Sequence, residues 1–349
     1  MGSAIKSATK IQVGKETARG TAVAAARRIV TPQATYRRQE TFEHFEEDMD
    51  GLLTRSSRPP LNIRNGTELE IGGFPLDFEQ ILLPLLSGVK GGVAPTSPGT
   101  GAARLWTFKP SASADPAPDT FTVEFEESDF TSNAEMEAAY GFTTELEITG
   151  SDEGAPEVRF IMTARRTSDA TKTAGLSLPS LIPAANARWS VYVDDTWANL
   201  GNTKISGQVY GFTWKLSEFL RPGYYLDNRA DLDFSKYEFG RRRVELSLDV
   251  VHDPGSSALV QTEEAHKSKG VTRFVRVEIT GPAFTAPDNE LNRFVRLDGA
   301  FTHMDGSMEE RGGDREGLMS TQLVLQSTYD AVSTQDLQIA VQNDLAAFP

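Results

Sequence analysis

Glutamates stand at alternate positions in several stretches of the chain, among them Glu68 and Glu70, Glu124 and Glu126, Glu145 and Glu147. Paired carboxylates are the equipment of a glycosidase, one acting as acid and the other as base or nucleophile. That chemistry needs the two groups opposed across a cleft, whereas residues two apart on a strand point the same way. With Glu245, the pairs therefore read as open faces of sheets. A second acidic group, Glu43, Glu46, Glu47, Asp48 and Asp50, is dense enough for a calcium loop but lacks the glycine and closing glutamate of that loop. It reads as a solvated or ion-paired excursion. The basic clusters Arg27-Arg28, Arg37-Arg38 and Arg241-Arg242-Arg243 are its natural counterparts, setting register more than affinity.

Other chemistry is poorly supplied. The chain has no cysteine, which removes disulfides, thiolate metal sites and thiol nucleophiles together. None of the histidines, His44, His252, His266 and His303, stands at a spacing that puts two on one helix face. No phosphate loop, Gly-x-Ser-x-Gly elbow or zinc motif occurs. The expectation is a protein that is not an enzyme and holds no cofactor or metal.

The 349 residues, 39% hydrophobic and 24% charged, have the make-up of a soluble globular protein with room for two ordinary domains or one large one. The longest apolar run, Ile81 to Leu86, is too short to span a bilayer and contains Pro84. Met1 to Lys10 lacks the apolar centre of a signal peptide, so the default expectation is the cytoplasm. A net charge of −14 argues against a general nucleic-acid binder, since phosphates would be repelled.

Strand patterning dominates. Apolar and polar residues alternate over 67–71, 120–126, 144–148, 189–193, 244–248, 274–279, 294–297 and 321–325. Asn65-Gly66, Asp298-Gly299 and Asp305-Gly306 are dipeptides that accept turn geometry cheaply. Helices are few. Pro75 and Leu76 open one that runs to Leu83, where Pro84 ends or kinks it. A serine at 256 or 257 caps a second, running to about Ser268 before Gly270. Leu337, Val341 and Leu345, four apart, predict a short C-terminal helix. The aromatics Phe121, Phe125, Phe142, Trp189, Tyr192, Trp214 and Phe274 sit in strand patterns and are expected in the core. A slide of 177 residues superimposes Phe42 on Phe219, Asp50 on Asp227, Arg64 on Arg241 and Leu82 on Leu259, with strand, helix and strand in the same order. That constancy predicts a duplicated unit: an N-terminal arm over 1–30, β domains over 31–200 and 201–330, and a C-terminal arm over 331–349.

The run Gln12-Val13-Gly14-Lys15-Glu16, continued by Gly20-Thr21-Ala22, resembles the opening of tail tube (major tail) proteins of long-tailed, non-contractile bacteriophages. Leu69-Glu70-Ile71 leading into Leu76-Asp77-Phe78-Glu79-Gln80, Val191-Tyr192-Val193-Asp194 leading into Leu200-Gly201-Asn202-Thr203-Lys204, and Leu323 to Asp330 are similar to later segments of that family. The resemblance implies a mainly β fold of two tandem tail-tube-type sandwich or barrel domains, each with a short flanking helix, plus arms and long loops. It implies a structural subunit that assembles into stacked rings, with trimeric pseudo-hexameric rings favoured over hexameric ones. The expected partners are further copies, a tape measure protein and double-stranded DNA in the lumen, and tail-tip and tail-terminator proteins, with no membrane. The expected place is the virion tail, reached through the host cytoplasm. Under it, Glu68, Glu70, Glu124, Glu126, Glu145, Glu147 and Glu245 become candidate lining of an acidic lumen, to which DNA does not stick. Arg27, Arg28, Arg37, Arg38, Glu43, Glu46, Glu47, Asp48, Arg241, Arg242 and Arg243 become candidate contacts between rings. The competing reading is a two-domain β-sandwich that binds carbohydrate or mediates adhesion, which predicts a monodisperse monomer with a ligand.

Overall fold

The computed structural model describes residues 10–43, 60–128, 133–184, 189–205, 207–225, 227, 229, 231–251, 256–304, 307–308, 311–315 and 318–348. It is mainly β, 52% strand and 8% helix, in large antiparallel sheets. The first strands are β1 (Lys10–Lys15), β2 (Arg27–Ile29), β3 (Gln33–Arg38), β4 (Thr41–Glu43), β5 (Leu61–Arg64), β6 (Thr67–Pro75) and β7 (Arg104–Phe108). Then follow β8 (Phe121–Ser128), β9 (Asn133–Ser151), β10 (Glu157–Ala164), β11 (Ser168–Asp169), β12 (Trp189–Asp194), β13 (Lys204–Ile205) and β14 (Val209–Ser217). The chain finishes with β15 (Leu220–Gly223), β16 (Lys236–Phe239), β17 (Arg243–Val251), β18 (Arg273–Ala283), β19 (Asn292–His303), β20 (Arg311–Arg315), β21 (Leu318–Ser327) and β22 (Leu337–Asn343).

One extended front sheet runs β3-β6-β10-β9-β14-β17-β21-β20, every neighbour antiparallel. Behind it lie two smaller arrays, β2-β1-β8-β9 and β13-β12-β18-β19-β22-β7. The long strands β9 and β19 serve both layers. The first half of β9 pairs with β8, and its second half with β10 and β14. Most of β19 pairs with β18 and β22, and its last residues with β21.

Alternation explains why these segments are strands. Leu69, Ile71, Leu146, Ile148, Phe160, Met162, Trp214, Leu216, Leu246, Leu248, Leu323 and Leu325 all face inward into one continuous apolar core. Polar residues between them face out, the signature of an antiparallel sheet covered on one side. Each large side chain so buried is worth about 1.5–3 kcal/mol relative to exposure.

Several expectations need correction. The first helix begins later than proline placement predicts: Asp77 Oδ1 accepts the backbone N–H groups of Glu79 and Gln80 at 2.9 and 2.8 Å, making a turn. Helix α1 is only Leu82–Pro84, and it continues as a π-helical turn, Leu85–Val89. Pro84 is thus the last α-helical residue, and the chain beyond it stays helical with π geometry in place of stopping. The second helix, α2 (Ser256–Lys269), matches its expected span, with Gly270 at φ +62° beyond its end. The predicted C-terminal helix is strand β22 instead. Residues four apart share a face in a strand as well as in a helix, and Ile339 falls between Leu337 and Val341 at period two. Much of the segment expected to be a C-terminal arm is thus threaded between β19 and β7. Asn343 fixes it there, donating to the Phe78 carbonyl (2.8 Å) and accepting from Trp106 Nε1 (3.1 Å). Likewise the segment expected to be an N-terminal arm contributes β1 and β2. Asp298-Gly299 is not a turn but the middle of β19. The Asp298 carboxylate is bonded to Arg276 on β18 at 2.7 and 2.9 Å, and a Cβ at Gly299 would meet the Phe301 ring at 2.4 Å. Asp305-Gly306 lies outside the described residues.

Candidate assembly surfaces

The outer side of the front sheet gathers Glu68 and Glu70 from β6, Glu145 and Glu147 from β9, and Glu245 from β17. Register sets them in rows: Thr35, Glu70, Ile161 and Glu145 form one, and Arg159, Glu147, Lys215, Glu245 and Gln326 another. Glu157 and Asp249 fall on the same side. Against these acids stand Arg37, Arg159, Lys215 and Arg243, so the face is a mixed lattice with acid in excess. Its ion pairs are Glu70 with Arg159 (2.7 Å), Glu145 with Lys215 (3.0 Å) and Glu245 with Arg243 (3.4 Å). They are partly exposed and contribute little to stability. The hydrogen bond to Glu70 holds the Arg159 guanidinium above its ordinary pKa.

Glu124 and Glu126 do not join that face. They are 4% and 2% exposed, so they cannot line a channel. Glu124 Oε1 accepts from Ala25 N (3.0 Å) and Thr173 Oγ1 (2.7 Å). Its Oε2 accepts from Gln12 Nε2 (3.0 Å) and Thr173 N (2.7 Å). Glu126 is bonded by Lys10 at 2.9 Å and by Lys172. Burial alone would raise its pKa, but the hydrogen bonds from Lys172 and Lys10 prevail and lower it. The segment carrying Lys172 and Thr173 covers this stretch of β8.

Glu16, in the Gln-Val-Gly-Lys-Glu run, is the third buried acid here. Its oxygens accept from the backbone of Gly20 and Tyr140 at 2.7 Å each, and from Thr120 (2.7 Å) and Thr122 (3.1 Å). Nothing in the spacing of the run marks Glu16 as a clamp. The run is a structural knot of the first strand, with Gly14 pressed against the carbonyl of Ala24, where a Cβ would lie 2.4 Å from the oxygen.

The basic candidates divide similarly. Arg27 is only 8% exposed and bonded to Glu79 at 2.6 Å, which withdraws it from any contact with another molecule. Arg242 holds Asp336 through bonds of 2.5–3.0 Å. Arg38 donates to Thr167 Oγ1 at 3.0 Å. Arg28 and Arg243 are half-buried, while Arg37, Arg241 and Glu43 are exposed. Glu46, Glu47 and Asp48 lie outside the described residues.

A buried polar cluster lies beneath α2. Glu263 bonds Arg273 Nε (3.0 Å) and His303 Nε2 (3.1 Å), and His303 Nδ1 is 3.1 Å from Ser307 Oγ. Acid, histidine and serine in contact resemble a catalytic relay, but Ser307 is fully buried and its hydroxyl accepts the N–H of Val324 at 2.9 Å. As placed, that hydroxyl meets no substrate. Burial opposes ionisation of Glu263, yet the His303 bond and Arg273 bring its pKa below the ordinary value.

Two sheet ends complete the picture. Among the described residues, β3 has a strand partner only in β6, and β20 only in β21. Midway between these ends β9 and β14 pair over 146–151 and 211–216, which makes the front sheet continuous. No protein-family model and no curated protein matches the chain.

Proposed function

We propose that this chain is a structural subunit of a bacteriophage tail tube, made of two copies of one sheet unit, three chains closing a pseudo-sixfold ring. The duplication is supported by the pairing pattern. In the first half β1 pairs with β2 and β8, β8 with β9, β9 with β10, β10 with β6, and β6 with β3. In the second, β12 pairs with β13 and β18, β18 with β19, β19 with β21, β21 with β17, and β17 with β14, in the same chain order. Small details recur with it. Arg165 N donates to Ala139 O at 2.9 Å, and Thr328 N to Ala300 O at 2.8 Å. A helix residue reaches the long strand in both halves: Ser87 to Thr143 at 2.7 Å, and Glu263 to His303 at 3.1 Å. On this reading the second unit opens at β12, earlier than residue 201.

The single observation that carries the assembly is the β9–β14 junction. It joins the second unit to the first by antiparallel pairing, and β3 is to the first unit what β14 is to the second. Repeating that step outward brings β3 of one chain to the β20 end of the next. A heterologous contact that repeats by rotation closes a ring and removes its open edges. The polar front face, rich in acid, would then line the lumen, where like charge keeps DNA from adhering.

Negative-stain microscopy of concentrated, purified protein tests this, with rings or hollow tubes of regular diameter as the expected result. A monomer that persists at every concentration, salt and temperature below unfolding would refute it.

A further inference from the structure

The two excursions that leave the front sheet differ in one respect. The hairpin β15–β16, between β14 and β17, is folded down over the first unit. Phe219, Phe234 and Tyr237 are 3%, 0% and 5% exposed there. Arg165 donates to the carbonyls of Phe234 and Ser235 at 3.3 and 3.1 Å, and Arg166 N to Asp233 at 2.8 Å. Arg19, in the loop after β1, lies 4.9 Å over the Tyr237 ring. The hairpin β4–β5, between β3 and β6, is held at its base, where Arg64 lies 5.0 Å over the Tyr224 ring and Asn65 N donates to the Leu232 carbonyl at 3.0 Å, but among the described residues its apolar side chains have no such seat. Phe42, which the 177-residue slide sets against Phe219, is 43% exposed, and Leu61 and Ile63 are 53% and 43% exposed.

Part of the corresponding seat on the second unit is open, although Phe301, the counterpart of the Tyr140 ring that Phe234 packs on, is itself 1% exposed. The counterpart of the Arg19 loop is the turn at Trp197, after β12, and the counterpart of Arg165 and Arg166 is the segment from Thr328 onward, after β21. Between that turn and that segment lies a groove of about 610 Å³, lined by Trp197, Val271, Phe274 and Val332, with Val332 94% exposed. A chain that leaves both an apolar hairpin and an apolar groove bare has the two halves of one contact.

We infer that the β4–β5 hairpin of one copy seats in the Trp197–Phe274–Val332 groove on the second unit of the adjacent copy in the same ring, strapping the seam as β15–β16 straps the internal junction. The inference rests on the duplicated-unit ring proposed above. It assigns this excursion a lateral contact, in place of the ring-to-ring contact that the family resemblance implies.

The cysteine-free background allows a direct test. Leu61→Cys and Val332→Cys chains are mixed, assembled and treated with a short bismaleimide, and rings are scored separately by microscopy. A linked two-chain species joining 61 to 332 is expected in isolated rings, at least tenfold above its level in dilute monomer. Rings that form normally without this link overturn the inference and leave the ring standing. A link found only in stacked tubes, or formed within a single chain carrying both substitutions, also overturns it. Absence of any assembly defeats the ring and the strap together. As a second probe, Phe42→Asp is expected to leave the monomer's melting temperature unchanged and to raise the concentration for half-assembly at least tenfold. An unchanged assembly threshold counts against the strap.

Discussion

Replacing Glu124 by glutamine is the sharpest test of how the acids divide between inside and outside. The buried carboxylate receives two donors on each oxygen, from Ala25, Thr173 and Gln12. Glutamine keeps the shape but offers one accepting oxygen, and its NH₂ group then faces two donors. Either orientation breaks two of the four bonds, but Ala25 N keeps Thr173 Oγ1 (3.0 Å) and Gln12 Nε2 keeps the Thr173 carbonyl (2.9 Å), so one donor is stranded. A buried donor left without a partner costs about 1–3 kcal/mol, so Glu124→Gln should lower the unfolding free energy by about that amount. The assay is guanidinium unfolding followed by tryptophan fluorescence, with the slope checked for constancy against the parent. Glu147→Gln, on the open face, is the control and should move stability by less than ~0.5 kcal/mol. Equal, small effects at both positions would refute the claim that Glu124 is a structural clamp.

The Glu263 cluster predicts a pH dependence. Its folded pKa lies below the ordinary 4.5, so the unfolded chain takes up the proton first. The stabilisation it gives is present above pH 4.5 and fades as pH falls through the lowered folded value. Melting temperatures measured from pH 6 downward should therefore decline less steeply in Glu263→Gln than in the parent; parallel curves would refute this. Gly14→Ala drives a Cβ into the Ala24 carbonyl and should cost about 1–3 kcal/mol in the same unfolding assay. Arg242→Ala frees Asp336 from its paired bonds and should cost about 2 kcal/mol; an unchanged midpoint would show the pair to be incidental.

Alternation made most of the sheet legible in the sequence. Its inward apolar rows were visible in 67–71, 144–148, 244–248 and 321–325, and the second helix in its serine start and glycine stop. The same pattern hid the fate of the glutamates. Glu68/Glu70, Glu124/Glu126 and Glu145/Glu147 read alike, because alternation tells which residues share a side and not whether something covers it. Lys10 and Gln12 beside Glu124 and Glu126, and Lys172 and Thr173 above them, come from far along the chain, so no local window reveals the cover. The error at β22 has a related origin, since a spacing of four fits both periods. Of the junction strands, β3 was not read at all and β14 only through Trp214. β14 holds Gly211 and a register shift where it meets its neighbours, and β3 is polar along most of its length.

The long strand β9 has a mechanical consequence. It is hydrogen-bonded to β8 along one stretch and flanked by β10 and β14 along the next, so both layers and both halves of the chain grip it. Ladder bonds run across the strand direction. A tensile load applied along β9 would have to shear many of them simultaneously, where a peeling load at a hairpin opens them one after another. Stretch along that line should therefore be the direction in which the molecule yields last.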